Sequence, residues 1–166
     1  MKTILIPIAF LILSCGTNKS TSDLTRKHEI ESPCPDNGNC SFEILQNKSI
    51  EMKIDGIGKM YYELADNPEK SVYLYKYSNK IEDPTLQDAG YREEILFEIY
   101  NKTADFSFSG TQLQSTKMIF GVFCFCRGKA GYYKVNEGKI LKQNNTLSVE
   151  IPAIVSNQKT TRFNIK

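Results

Sequence analysis

From Cys40 onward, apolar and polar residues alternate with a period of two. Phe42 and Ile44 share one face of Ser41 to Leu45, and Ile50, Met52 and Ile54 alternate with Glu51 and Lys53. Ile95, Phe97 and Ile99 alternate with Glu94, Leu96 and Glu98, and Phe106 and Phe108 with Asp105, Ser107 and Ser109. Leu147, Val149 and Ile151 alternate with Thr146, Ser148 and Glu150. Successive side chains of a strand point to opposite faces, so each segment predicts a strand with one face on a core and the other in water. On that reading Glu94 and Glu98 lie on a solvated face.

Turn chemistry separates these segments: Asp55-Gly56-Ile57-Gly58, Asp66-Asn67-Pro68, Asp83-Pro84, Asn136-Glu137-Gly138 and Asn144-Asn145. The stretch from Ile81 to Gly90 is the longest predicted loop, with room for one helical turn. From Met118 to Arg127 the pattern changes. Met118, Phe120, Val122, Cys124 and Cys126 fall on one face, and Ile119, Gly121, Phe123, Phe125 and Arg127 on the other. A strand apolar on both faces is expected at the centre of the fold. Short strands at this spacing, without a long amphipathic segment, predict an all-β protein, an antiparallel β-sandwich (Ig-like) or a small barrel.

The first residues follow another logic. Met1-Lys2-Thr3 precedes ten apolar residues, Ile4 to Leu13, and the chain turns polar after Cys15. Ten residues are about half of what a membrane-spanning helix needs, so the run reads as the core of a signal peptide, residues 1–14. Ile12-Leu13-Ser14-Cys15 resembles the lipobox of bacterial lipoproteins, although Leu13 is bulkier than the usual residue there. That resemblance implies cleavage before Cys15 and lipidation of its thiol. Two or more acyl chains, at about 0.8 kcal/mol per buried methylene, anchor stably. Residues 15–33 hold few apolar side chains and are expected to form a disordered tether. The only histidine, His28, falls there and is expected to be solvated. The single domain is then 34–166.

Four further cysteines, Cys34, Cys40, Cys124 and Cys126, predict two disulfides in an exported protein. If Cys124 and Cys126 lie on one extended strand, their Cα atoms are about 6.6 Å apart with parallel Cβ vectors, which disfavours a direct bond. The expected arrangement lays the Cys34 to Cys40 loop across that strand, each of its cysteines bonding one of the pair. Loops of about 90 residues would close, a gain of about 4 to 5 kcal/mol for the first bridge. The competing readings are a thiolate metal site and a redox-active thiol pair, but spacings of one and five residues do not suit zinc. Asp36-Asn37-Gly38-Asn39 lacks the closing Glu of a calcium loop and reads as a turn.

Charge is nearly balanced, with 21 Lys+Arg against 19 Asp+Glu, so no concentrated basic field points to nucleic acid. Tyr73, Tyr75 and Tyr77 share one face of their strand and form a candidate binding surface for a peptide or sugar; cross-strand packing is the alternative. Arg127-Gly128-Lys129-Ala130-Gly131 reads as a hairpin turn with solvated charges. No catalytic residues and no cofactor are predicted. Without a histidine in the domain no Ser-His-Asp or Cys-His set can be built, and Glu93 and Glu94, adjacent on a strand, face opposite ways.

The precursor resembles the uncharacterised small lipoproteins abundant in Bacteroidota. The likeness is carried by Met1-Lys2 to Cys15-Gly16, the Cys34 to Cys40 loop, and Phe123-Cys124-Phe125-Cys126-Arg127-Gly128 leading to Gly131-Tyr132-Tyr133-Lys134. In that group, acidic residues just after the lipidated cysteine often mark export to the cell surface. Here the first acid after Cys15 is Asp23, which implies the periplasmic face of the outer membrane. The expectation is an envelope lipoprotein, held in a membrane by its N-terminal lipid, whose non-enzymatic domain binds a protein, peptide or glycan. A β-barrel carrier of a small apolar ligand and a carboxylate-dependent enzyme are the alternatives.

Overall fold

The computed structural model describes residues 28–81, 85 and 90–166. The expected signal peptide, residues 1–14, the expected lipidation site Cys15, and residues 82–84 and 86–89 of the longest loop lie outside the described residues. Two antiparallel sheets face each other. The first has the order β1 (Asn39–Ile54), β2 (Met60–Ser78), β3 (Arg92–Tyr100), β5 (Ile119–Phe123), β6 (Gly131–Lys134). The second has the order β4 (Phe106–Ser109), β7 (Lys139–Gln143), β8 (Thr146–Glu150), β9 (Arg162–Ile165). The sheets do not close on each other, so the architecture is a sandwich rather than a barrel.

The period-two pattern explains the core. Phe42, Tyr73, Tyr75, Tyr77, Ile95, Phe97, Phe120 and Val122 of the first sheet meet Phe106, Ile140, Leu147, Val149, Phe163 and Ile165 of the second. The tyrosine stripe is therefore not the exposed patch that a surface binding site needs. Tyr73, Tyr75 and Tyr77 are 8%, 2% and 1% exposed. Tyr73 stacks on Phe97 at 5.0 Å within its own sheet, and Tyr75 on Phe163 at 4.1 Å across the sandwich. A tyrosine can sit there because only its tip needs a polar partner, and the Tyr75 hydroxyl donates to Cys40 Sγ at 2.9 Å.

The β1–β2 hairpin departs most from expectation. Asp66-Asn67-Pro68 does not reverse the chain but lies inside β2. Gln46 pairs with Ser71 and Lys48 with Asp66, so Asn47 alone opposes the four residues 67–70. This wide bulge is held by hydrogen bonds. Asn67 Oδ1 accepts the Glu69 N–H at 3.0 Å, and Asn101 donates its backbone N–H to Glu69 O and its side-chain amide to Pro68 O. Asn47 itself takes φ 57°, a left-handed conformation that asparagine tolerates better than most residues. Bulges bend a strand, and here the distal arm (48–54 with 60–66) lies over the outer face of its own sheet. Ile50, Met52, Met60 and Tyr62 pack there on Val72, Leu74, Leu96, Ile119 and Tyr132.

That arm removes the expected solvated face. Glu94 and Glu98 are 7% and 3% exposed. Glu98 accepts the Ile50 N–H at 2.7 Å and Lys70 Nζ at 2.6 Å, with Lys117 Nζ at 3.2 Å; Lys117 Nζ also donates to the Ile50 carbonyl. Burial raises the Glu98 pKa, but the hydrogen bonds from Lys70, Ile50 and Lys117 outweigh it and leave the carboxyl below its ordinary value. Tyr132 of β6 donates to Glu94 at 3.1 Å, reaching across Gly121 of the intervening β5. Glu93 points the other way, as its adjacency to Glu94 requires. It accepts the Tyr91 hydroxyl and the backbone N–H groups of Lys159 and Thr160, tying the β8–β9 connection to β3.

The doubly apolar strand is shorter and less central than predicted. β5 ends at Phe123 and lies one position in from the β6 edge, whereas β3 holds the middle of the sheet. Its two apolar faces serve different layers: Phe120 and Val122 enter the sandwich core, and Ile119 meets the folded-over arm.

The ordered domain also reaches further towards the N-terminus than position 34. Ile30 bridges to Ile165, the Glu31 N–H donates to Asn164 O, and Ser32 Oγ accepts the Asn164 N–H. Residues 28–32, expected in the tether, therefore extend the second sheet beyond β9. His28 sits edge-on to Phe42 at 5.8 Å.

Candidate functional site

The bulge and the β3 terminus leave one end of the sandwich open. Between the sheets there lies a cleft of about 860 Å³. Its floor is apolar: Phe42, Ile44, Tyr73, Ile99, Leu147 and Ile165. Its rim carries amides and hydroxyls, Gln46, Asn47, Ser71, Asn101, Thr103 and Asn145, with His28, Lys142 and Lys166 beside them. No Asp or Glu is among its described lining residues. Tyr100, 57% exposed, stands at the mouth with Lys70 Nζ 4.8 Å from its ring centre. Lys142 Nζ lies 5.9 Å from the Phe106 ring, and Lys166 Nζ 3.7 Å from Glu31. Burial raises the pKa of Tyr73, so its hydroxyl stays neutral on the cleft floor.

The rim follows from the backbone. Asn47 is there because the bulge needs its left-handed conformation, and Asn145 (φ 67°) because it closes the tight β7–β8 turn. Asn101 follows β3, where its side chain also accepts the Ser71 hydroxyl at 2.6 Å. Such an end can hold an apolar group on its floor while its amides pair with polar groups above it. Six separate chain segments supply the described lining. The turn signals at Asn144-Asn145 are visible in the sequence, but nothing in it brings them to Gln46 or Asn101.

The predicted cysteine sites lie at the opposite end, and their pairing is local. Cys34 and Cys40 are bonded with Cα atoms 5.7 Å apart, and Cys124 and Cys126 with Cα atoms 5.1 Å apart. The crossing arrangement is overturned because its premise fails. The chain leaves the extended conformation after Phe123, which contracts the two-residue span to bonding reach. The Cys34 to Cys40 loop contains a 3₁₀ turn, Pro35–Asn37, and packs on Tyr77: a Cβ at Gly38 would sit 2.4 Å from that ring. Asp36 there pairs with Lys159 Nζ at 2.6 Å, so this turn is fastened by an ion pair. Residues 124–130 connect β5 to β6, so the predicted turn at 127–131 lies in this connection up to Gly131, the first residue of β6, with Gly128 at φ 77°. No protein-family model, no curated protein and no solved structure matches this chain.

Proposed function

We propose that this chain is a lipid-anchored envelope protein whose β-sandwich is a binding module, with the open cleft as its binding site for a peptide or glycan and no chemistry carried out in that cleft. The cleft carries the reading: about 860 Å³ of space with an apolar floor and a rim of side-chain amides suits a ligand that alternates apolar and polar groups. The hydrophobic start ending at Cys15 supports the address, and an anchor there would tether the domain through residues 16–27.

Two measurements test the two parts. Intact mass of the mature protein is expected to show Cys15 as the acylated first residue, and Cys15→Ser to move the protein out of the membrane fraction; a native protein starting at Met1 without fatty acid refutes the address. For the cleft, isotope-labelled protein is titrated with a panel of peptides and envelope glycan fragments. Amide signals of Gln46, Asn101 and Asn145 are expected to shift together, and Asn145→Ala to weaken binding about tenfold, the worth of one well-placed hydrogen bond. Shifts confined to other surfaces, or none across the panel, refute the cleft as the site.

A further inference from the structure

We infer that Cys124 and Cys126 form a thiol–disulfide exchange site that acts on disulfides of other polypeptides. A structural bridge joins elements that would otherwise separate, but this one spans two residues and joins none. The β5 and β6 strands on either side are already held in register by the Val122–Gly131 to Ile119–Lys134 ladder. Closing so small a ring removes little freedom from the unfolded chain. The turn after Phe123 nevertheless keeps the two cysteines within bonding reach.

The surroundings suit exchange. Cys126 lines a cavity of about 610 Å³ together with Lys80, Lys129 and Lys159, and with Asp36, Tyr77 and Tyr91. Asp36 is the one acid among the described lining residues, and Lys159 is its ion-pair partner. Glu93 lies behind the lining, accepting from Tyr91 and the Lys159 N–H, so Lys80, Lys129 and Lys159 face two carboxylates, Asp36 and Glu93. The three lysines still leave the surroundings net positive, which favours a thiolate over a thiol. Phe125, between the two cysteines, is 86% exposed. It offers an apolar contact for a client segment beside the exchanging sulfurs.

The pair is bonded in the structure, so exchange begins with a client dithiol as the reductant. One client thiolate attacks Cys126 Sγ while Cys124 leaves as a thiolate and takes a proton. The second client thiolate then displaces Cys126, leaving the client bridged and the pair a dithiol. The dithiol pair can then act on the disulfide of another client. The Cys126 thiolate attacks one sulfur of that disulfide; the client S–S bond breaks, and its second sulfur leaves as a thiolate and takes a proton. Cys124 loses its proton and attacks Cys126 Sγ, expelling the first client sulfur, which is protonated in turn. Two electrons pass to this client, which becomes a dithiol, and the pair becomes a cystine again.

The test uses the full chain and does not depend on the cleft. The protein is equilibrated in glutathione buffers of graded poise, trapped by alkylation and mapped by mass spectrometry. The Cys124–Cys126 pair is expected to open while Cys34–Cys40 stays closed, with the circular dichroism unchanged. Alkylation of reduced Cys126 is expected to be half-maximal at a pH below the ordinary thiol value of about 8.5, and Lys80→Gln with Lys129→Gln to move it upward. Cys124→Ser is expected to trap insulin, a polypeptide disulfide, on Cys126, and Phe125→Ala to slow that trapping more than it slows reaction with glutathione disulfide. The proposal is overturned if Cys34–Cys40 opens first, if the half-maximal pH is ordinary and ignores the lysine variants, or if only glutathione disulfide reacts.

Discussion

Glu98→Gln tests how the folded-over arm is held. In the native protein this buried carboxylate receives the Ile50 N–H, Lys70 and Lys117. Glutamine keeps one acceptor oxygen but presents an amide nitrogen to donors on its other side. Breaking a buried charge pair from one side costs about 3 to 5 kcal/mol. Two features lower that figure here: the lysines are 17% and 35% exposed and can regain water, and the Ile50 N–H can keep the remaining oxygen. We therefore expect a loss of about 2 to 3 kcal/mol, measured by urea unfolding at pH 7, or a midpoint lower by about 1 to 2 M. The pH dependence supplies the sharper check. A carboxylate whose folded pKa lies below its ordinary 4.5 stabilises fully above that value and loses the contribution as pH falls through the folded pKa. The gap between native and variant should therefore shrink in acid, because protonated Glu98 is as neutral as glutamine. A gap below about 0.5 kcal/mol at pH 7, the usual range of a surface substitution, would refute the pinning role. So would a gap as large at pH 3 as at pH 7.

The tyrosine stripe makes two further predictions. Tyr73→Ala should destabilise by about 3 to 5 kcal/mol in the same unfolding assay, the cost of emptying an aromatic core site; a loss under 1 kcal/mol would place the ring on the surface instead. Burial pushes the Tyr75 hydroxyl up to about 12, so its phenolate absorbance should appear only there. Since that folded value exceeds the unfolded one near 10, Tyr75 stabilises below pH 10 and loses its contribution as pH rises through 12. Ionisation of every tyrosine near pH 10 in the folded protein would contradict this.

What the sequence disclosed was period and sign, and what it concealed was distance. Alternation at Ile95-Phe97-Ile99 and at Leu147-Val149-Ile151 named core faces correctly because a sandwich buries one face of each strand. It misjudged Glu94 and Glu98 because a covered outer face looks like a solvated one when polar residues on it are satisfied by partners far along the chain, Ile50 and Lys117 for Glu98. Asp66-Asn67-Pro68 looked like a reversal because bulge and turn use the same residues, and only register tells them apart. The cysteines were misjoined for a related reason. Extending β5 through Arg127 put Cys124 and Cys126 too far apart, and no residue type marks where that strand stops. The cleft is the least legible feature, since its rim comes from the ends of segments that meet only after folding.

The bulge at Asn47 also makes the arm sensitive to parity. Two residues advance on β1 while five advance on β2, and this offset sets which side chains of residues 48–54 face inward. Removing one residue from 67–70 would leave both strands extended yet change their phase by one. Glu63 and Tyr61 would then turn toward the layer that Leu64 and Tyr62 now face, with every hydrophobic residue of that strand retained. The length of this short segment, more than its composition, keeps the grease of the hairpin indoors.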